Sequence, residues 1–170
     1  MRDISAAQVL IAAATNYQIV VFAKDQIATV LANMAASPIC RTTVASDDGL
    51  RVLHDFLLSS PRPDQRPAEI SACERVQQKS AIALSRLCSE TDVAKKVVHM
   101  GVVARLVQLC RDERERNQSD AVLIGCLAAL RKLVTACGMD PLKSCNASDL
   151  VEPRLLDSFL LCSSQQESYV

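Results

Sequence analysis

The sequence predicts an all-α protein built as an α-solenoid of stacked helical repeats, and three observations carry that prediction. The first is composition: 49% of the 170 residues are hydrophobic but only 3% are aromatic, with 4 glycines and no tryptophan. Ala and Leu lead the apolar set and are strong helix formers, whereas sheets draw on aromatics, alternating runs and glycine turns. The second is helical punctuation at regular intervals along the chain. The third is an internal repeat. Leu31-Ala32-Asn33-Met34-Ala35, Leu84-Ser85-Arg86-Leu87-Cys88 and Leu130-Arg131-Lys132-Leu133-Val134 superpose at spacings of 53 and 46 residues, a period suited to helical repeats. One such unit cannot bury its apolar faces alone, and stacked neighbours give one continuous core.

In chain order, a first helix is expected over Ile4 to Thr15 and a second over Tyr17 to Ala35. Ser37-Pro38 starts a short third one, with Ser as N-cap and Pro at the first helical position. Asp47-Asp48-Gly49 is expected to break the chain before a helix from Leu50 to Leu58, and the three prolines of Ser59 to Pro67 mark a loop. A long helix follows from Glu69 to Cys88. Thr91 or Asp92 should cap the next, which ends at Met100-Gly101, and Val102 to Arg111 forms another. The mixed-sign run Arg111 to Arg116 (RDERER) is expected to be a solvated turn or helix end. Asp120 to Cys137 is a strong helix stopped by Gly138. After a loop around Pro141, a last helix is expected from Pro153 to Cys162. Residues 1–162 thus form a helical repeat domain, and 163–170 a flexible polar tail.

The flanks repeat as well. Val44, Gly49-Leu50, Leu53 and Phe56-Leu57 follow the first copy; Val97-Val98, Gly101-Val102, Leu106-Val107 and Leu109-Cys110 follow the second. The unit reads as long helix, short helix, glycine corner, medium helix, then the next long helix.

Composition also argues against several function classes. The 19 basic and 19 acidic residues cancel, and neither the basic excess nor the aromatic platforms of a nucleic-acid binder are present. The apolar runs Val9 to Ala14 and Ile19 to Ala23 are too short for membrane insertion. Met1-Arg2-Asp3 carries no net positive charge, so the apolar residues after it read as a buried helix rather than a signal peptide. The 8 cysteines show no C-x-x-C pair; several take aliphatic positions in helical patterns, as buried free thiols do, and the cytosol is the expected compartment. No zinc spacing, glycine-rich phosphate loop or H-E-x-x-H motif occurs. His54 and His99, the two histidines, have no recognisable catalytic companions. No enzyme activity and no cofactor is expected.

The order of helices and glycine corners resembles the armadillo repeat, in which a glycine lets a short helix turn sharply into the next. Asn33 stands where armadillo repeats often carry a groove-lining asparagine. Its counterparts here are Arg86 and Lys132, so the asparagine ladder is broken. The wording of Val76-Gln77-Gln78-Lys79 with Ala83-Leu84-Ser85-Arg86-Leu87 resembles the C-terminal armadillo domain of the Inscuteable family. So do Glu115 to Leu123, Pro153 to Cys162 and the ending Glu167-Ser168-Tyr169-Val170. That resemblance implies a cortical, cytoplasmic adaptor in asymmetric cell division, linking the Par-3 polarity complex to the LGN/Pins spindle-orientation machinery. In that family the LGN-binding segment precedes the armadillo repeats. Repeat sequence here begins almost at Met1, so a fragment, short isoform or incomplete gene model is expected and LGN binding is not carried over.

Two candidate sites follow. Glu167, Ser168, Tyr169 and Val170 end the sequence in Ser-x-hydrophobic, the pattern of a class I PDZ ligand. Such a tail adds a strand to a PDZ sheet edge, with Val170 in an apolar pocket, its carboxylate on backbone amides and the Ser168 hydroxyl bonded to the domain. The other is a groove along the long helices, lined by Asn33, Arg86 and Lys132. An N-terminal face near Ile4 to Leu31 without a polar cap would also invite self-association.

Overall fold

The computed structural model describes residues 6–15 and 19–152, and those residues are helical with no strand among them. The elements are α1 (Ala6–Ala14), α2 (Val21–Ala36), α3 (Pro38–Val44), α4 (Asp47–Leu57), α5 (Pro67–Leu87), α6 (Thr91–His99), α7 (Val102–Arg111), α8 (Asp120–Cys137) and α9 (Asp140–Lys143), then a 3-10 turn at Ser148–Val151. The helix expected from Pro153 to Cys162 and the 163–170 tail lie outside the described residues.

The three long helices form one layer. The most extensive packing is α2 against α5, followed by α5 against α8, while α4 lies on α5 and α6 and α7 lie on α8. The repeated leucines explain this arrangement. Leu31, Leu84 and Leu130 are all fully buried, as are Leu87 and Leu133 one turn on. Phe56, Leu53, Leu106 and Leu109 come down from α4 and α7 into the same core. Each buried leucine contributes roughly 1.5–3 kcal/mol relative to exposure, so the repeat is the sequence signature of a single continuous core.

The two glycine corners work by different physics. Gly101 sits between α6 and α7 with φ +76°, left-handed backbone that residues with a Cβ rarely adopt. Gly49 has no such conformation. It lies in the first turn of α4, where the Ser46 hydroxyl accepts a bond from its amide at 3.2 Å. Asp47 and Asp48 are therefore the acidic first turn of α4, not a break before it, and suit the positive end of the helix dipole. Glycine is needed at 49 because α4 starts hard against α3: a Cβ would come within 3.0 Å of the Val44 carbonyl oxygen.

Gly49→Ala is accordingly expected to lower stability by about 3 kcal/mol, since backbone cannot yield as a side chain can. Gly101→Ala should cost only about 1 kcal/mol. Urea unfolding of the two variants checks the ranking, and the reverse order would mean that the α3–α4 corner opens freely.

Other boundaries differ from the sequence expectation by local chemistry. Glu90 rather than Thr91 or Asp92 holds the N-cap of α6, without a side-chain cap bond. Pro141 is the second residue of a one-turn helix, Asp140–Lys143, where a loop was expected, because its fixed φ suits the first helical turn.

Candidate functional site

The face of the long-helix layer turned away from α4 and α7 is a solvent stripe. On α2 it carries Phe22, Gln26, Val30 and Asn33, all exposed and spaced to fall on one side of the helix. Arg75, Lys79, Ile82 and Arg86 continue it at the same spacing on α5, and Ala121, Ala128 and Lys132 on α8. Asn33 and Lys132 are exposed, and Arg86 is half-buried. The three positions chosen from the sequence thus lie one each on the successive long helices α2, α5 and α8.

They are not equivalent. Arg86 reaches across the α2–α5 seam, and its Nη1 donates to the Ala32 carbonyl oxygen. Arg41 donates from Nε to the Ala35 carbonyl at 3.1 Å and from Nη2 to that of Ala36 at 3.3 Å. Arg41 thereby serves the carbonyl end of α2, where a helix leaves acceptors unpaired and carries partial negative charge, while Arg86 adds a second donor to a carbonyl just before that end. Arg75 makes a second seam contact, its Nε and Nη2 each 2.9 Å from one oxygen of Asp25, a buried carboxylate on α2. The α5 arginines are therefore structural ties, and the freer polar groups of the stripe are Gln26 and Asn33 on α2, Lys79 on α5 and Lys132 on α8.

On the other side of the fold, sequence reasoning missed a polar clamp. Arg105 of α7 is 7% exposed. Its Nε donates to the Leu57 carbonyl at 2.9 Å, capping α4. Nη1 lies 2.8 Å from Glu115 Oε2 and 2.9 Å from Gln108 Oε1, and Nη2 donates to Ser60 Oγ at 3.0 Å. Ser60 in turn donates to the same Glu115 oxygen at 2.6 Å. The Gln77 side-chain amide of α5, fully buried, donates to the Glu115 carbonyl at 2.9 Å. Arg116 is also buried and donates to the carbonyls of Leu109 and Cys110 at the end of α7.

The RDERER run is thus not simply solvated. Its Glu115 and Arg116 turn inward, aided by left-handed backbone at Asn117 (φ 51°) and Gln118 (φ 57°). The Ser60 hydroxyl, then Arg105, hold the Glu115 carboxyl below the usual glutamate range, against the opposing effect of burial.

Among the described cysteines, Cys73, Cys88, Cys110 and Cys126 are buried thiols, while Cys40, Cys137 and Cys145 are half-buried. Cys73 donates to the Ser59 carbonyl at 3.0 Å, and burial pushes its thiol to about 11. Cys88 is pushed to about 12 by burial, and Cys126 is raised by its contact with Cys110 and then by burial. Such thiols stay protonated and weakly reactive near neutral pH. Among the described residues, no cluster of His, Cys, Asp and Glu is arranged to hold a metal ion, and no helix is long and apolar enough to cross a membrane. The tail residues Glu167, Ser168, Tyr169 and Val170 lie outside the described residues.

Comparison with known proteins supplies the remaining evidence. The family described as "Protein inscuteable C-terminal" matches residues 1–170. The Protein inscuteable homolog of Mus musculus is 47% identical over 149 residues, 88% of this chain and 25% of that protein. The Homo sapiens homolog is 44% identical over 170 residues, 99% of this chain and 29% of that protein. The chain therefore spans little more than a quarter of the length of these relatives. No solved structure matches it.

Proposed function

The chain belongs to the Inscuteable C-terminal family, and on that premise we propose that it is a non-enzymatic adaptor domain of an armadillo-like α-solenoid. One surface, the long-helix stripe with Asn33 and Lys132, takes a protein partner. The other, the tail Glu167 to Val170, takes the PDZ domain of a polarity scaffold such as Par-3. In this reading the domain works at the cell cortex, linking polarity proteins to spindle orientation during asymmetric division. The observation that supports it most is the family match over all 170 residues, which includes both the repeat stripe and the tail. LGN/Pins is a partner of the wider family whose binding is not assigned to these residues.

The stripe is tested with Asn33→Ala and Lys132→Glu together, because neither side chain is a structural tie; Arg86 is avoided, since removing it strips a bond from α2. Capture of the chain by polarity and spindle-orientation proteins is expected to fall on the order of tenfold, with an unchanged unfolding midpoint. Undiminished capture retires the stripe and leaves the tail as the binding element. At the tail, phosphorylation of Ser168 places charge where a neutral hydroxyl is needed and is expected to abolish PDZ binding.

A second reading, self-association, has its own observation. Among the described residues up to position 39, the exposed large apolar side chains are Val9, Val20, Phe22, Val30 and Ile39, with Ile39 90% exposed. Exposed large apolar side chains gathered in one stretch of chain favour association. Light scattering of the purified chain separates a monomer from such an assembly.

A further inference from the structure

The loop between α4 and α5 contains Ser60-Pro61-Arg62-Pro63-Asp64. No helix runs through it, and Arg62, Pro63 and Asp64 are exposed while Ser60 is half-buried. A serine followed by proline in irregular, extendable chain is the form in which a proline-directed kinase takes its substrate. A second Ser-Pro pair, Ser37-Pro38, lacks that form because Pro38 is the first residue of α3. Ser60 differs from Ser59 as well, since Ser59 has no following proline and its carbonyl is bound by Cys73.

What singles out Ser60 is its position in the clamp. Its oxygen is held between the Arg105 guanidinium at 3.0 Å and the Glu115 carboxylate at 2.6 Å. We propose that Ser60 is a phosphoacceptor for a proline-directed serine/threonine kinase, and that its phosphate releases the 112–119 segment from the clamp.

The transfer is ordinary: Ser60 Oγ bonds to the γ-phosphorus of ATP, the bond to the β-phosphate oxygen breaks, and ADP leaves. The hydroxyl proton goes to the kinase's base and then to solvent. The product has no proton to give Glu115, and it sets nearly two negative charges beside that carboxylate. Arg105 is one cation facing two anionic claimants, and phosphate offers its guanidinium the better paired acceptors. Arg105 keeps its Nε bond to Leu57, which lies on the Ser60 side, so Glu115 is the group that leaves. Arg62, exposed and paired with Asp64 at 3.7 Å, lies two residues on in the same loop as a second cation.

The test incubates the full chain with ATP and a cyclin-dependent or mitogen-activated kinase, followed by peptide mass mapping and amide hydrogen exchange. Phosphate is expected at Ser60 and not at Ser37, and it should be missing from Ser60→Ala. Exchange across 112–119 should then rise on the order of tenfold. In Glu115→Gln, which removes the repulsion, phosphorylation should leave that exchange unchanged. Failure of the folded chain to take phosphate at Ser60, while the denatured chain takes it, overturns the site. Phosphate at Ser60 with no change at 112–119 overturns the release.

Discussion

Arg105→Ala is expected to destabilise the protein by roughly 3 kcal/mol or more, the scale for removing one partner of a buried charge pair. The loss has three parts. The Leu57 carbonyl at the end of α4 loses its donor, Glu115 keeps a charge without its cation, and Ser60 loses the group that orients its hydroxyl. Arg105→Lys should recover only part, because a single ammonium cannot reach acceptors spread over the fork of a guanidinium. Glu115→Gln should be milder than either, since Gln can still accept. Urea denaturation of the three variants gives the ordering; equal losses would mean that the clamp contributes packing rather than charge. The pH dependence has a definite sign. Glu115 is held below its ordinary value of 4.5, so its contribution is fully present above that pH and is lost as pH falls through its folded-state value.

Gly125→Leu is expected to destabilise strongly as well, by prising α8 off α5. Even one added carbon at Gly125 would stand 3.2 Å from Ala81 Cβ and 3.4 Å from the Gln78 carbonyl oxygen. Alanine can be absorbed by a shift of a few tenths of an ångström. A leucine side chain cannot, and overpacking of this kind costs about 1–3 kcal/mol, occasionally more. The seam it opens joins successive repeats, so the loss should also show as a broader unfolding transition, with the α8 part melting before α2–α5. A sharp single transition at an unchanged midpoint would contradict the close approach of the two helices.

Helix content and the repeat were legible because they are local. Buried residues recur at helical spacing, and Val102–Arg111 and Asp120–Cys137 are helices with the bounds the sequence suggested. Leu31, Leu84 and Leu130 marked the core because a repeated packing position leaves a repeated residue. The arginines were not legible. Arg105 meets Ser60 and Leu57 across 45 and 48 residues, and Arg86 meets Ala32 across 54. Nothing in a run such as RDERER tells which charge turns inward, because that is decided by a loop elsewhere in the chain. Gly49 taught a related lesson: the glycine was visible, but its reason, the carbonyl of Val44, was not. Of the candidate stripe, the periodicity named the positions, while the distinction between an unpaired Lys132 and a tied Arg86 needed the neighbouring helix.

The central claim is that this domain is an adaptor with a PDZ-ligand tail. Its most direct test is calorimetric titration of Par-3 PDZ domains with the intact chain and with a version lacking Ser168 to Val170. Micromolar binding that disappears with those three residues is the predicted result. Equal binding by both versions, or none by either, would contradict it.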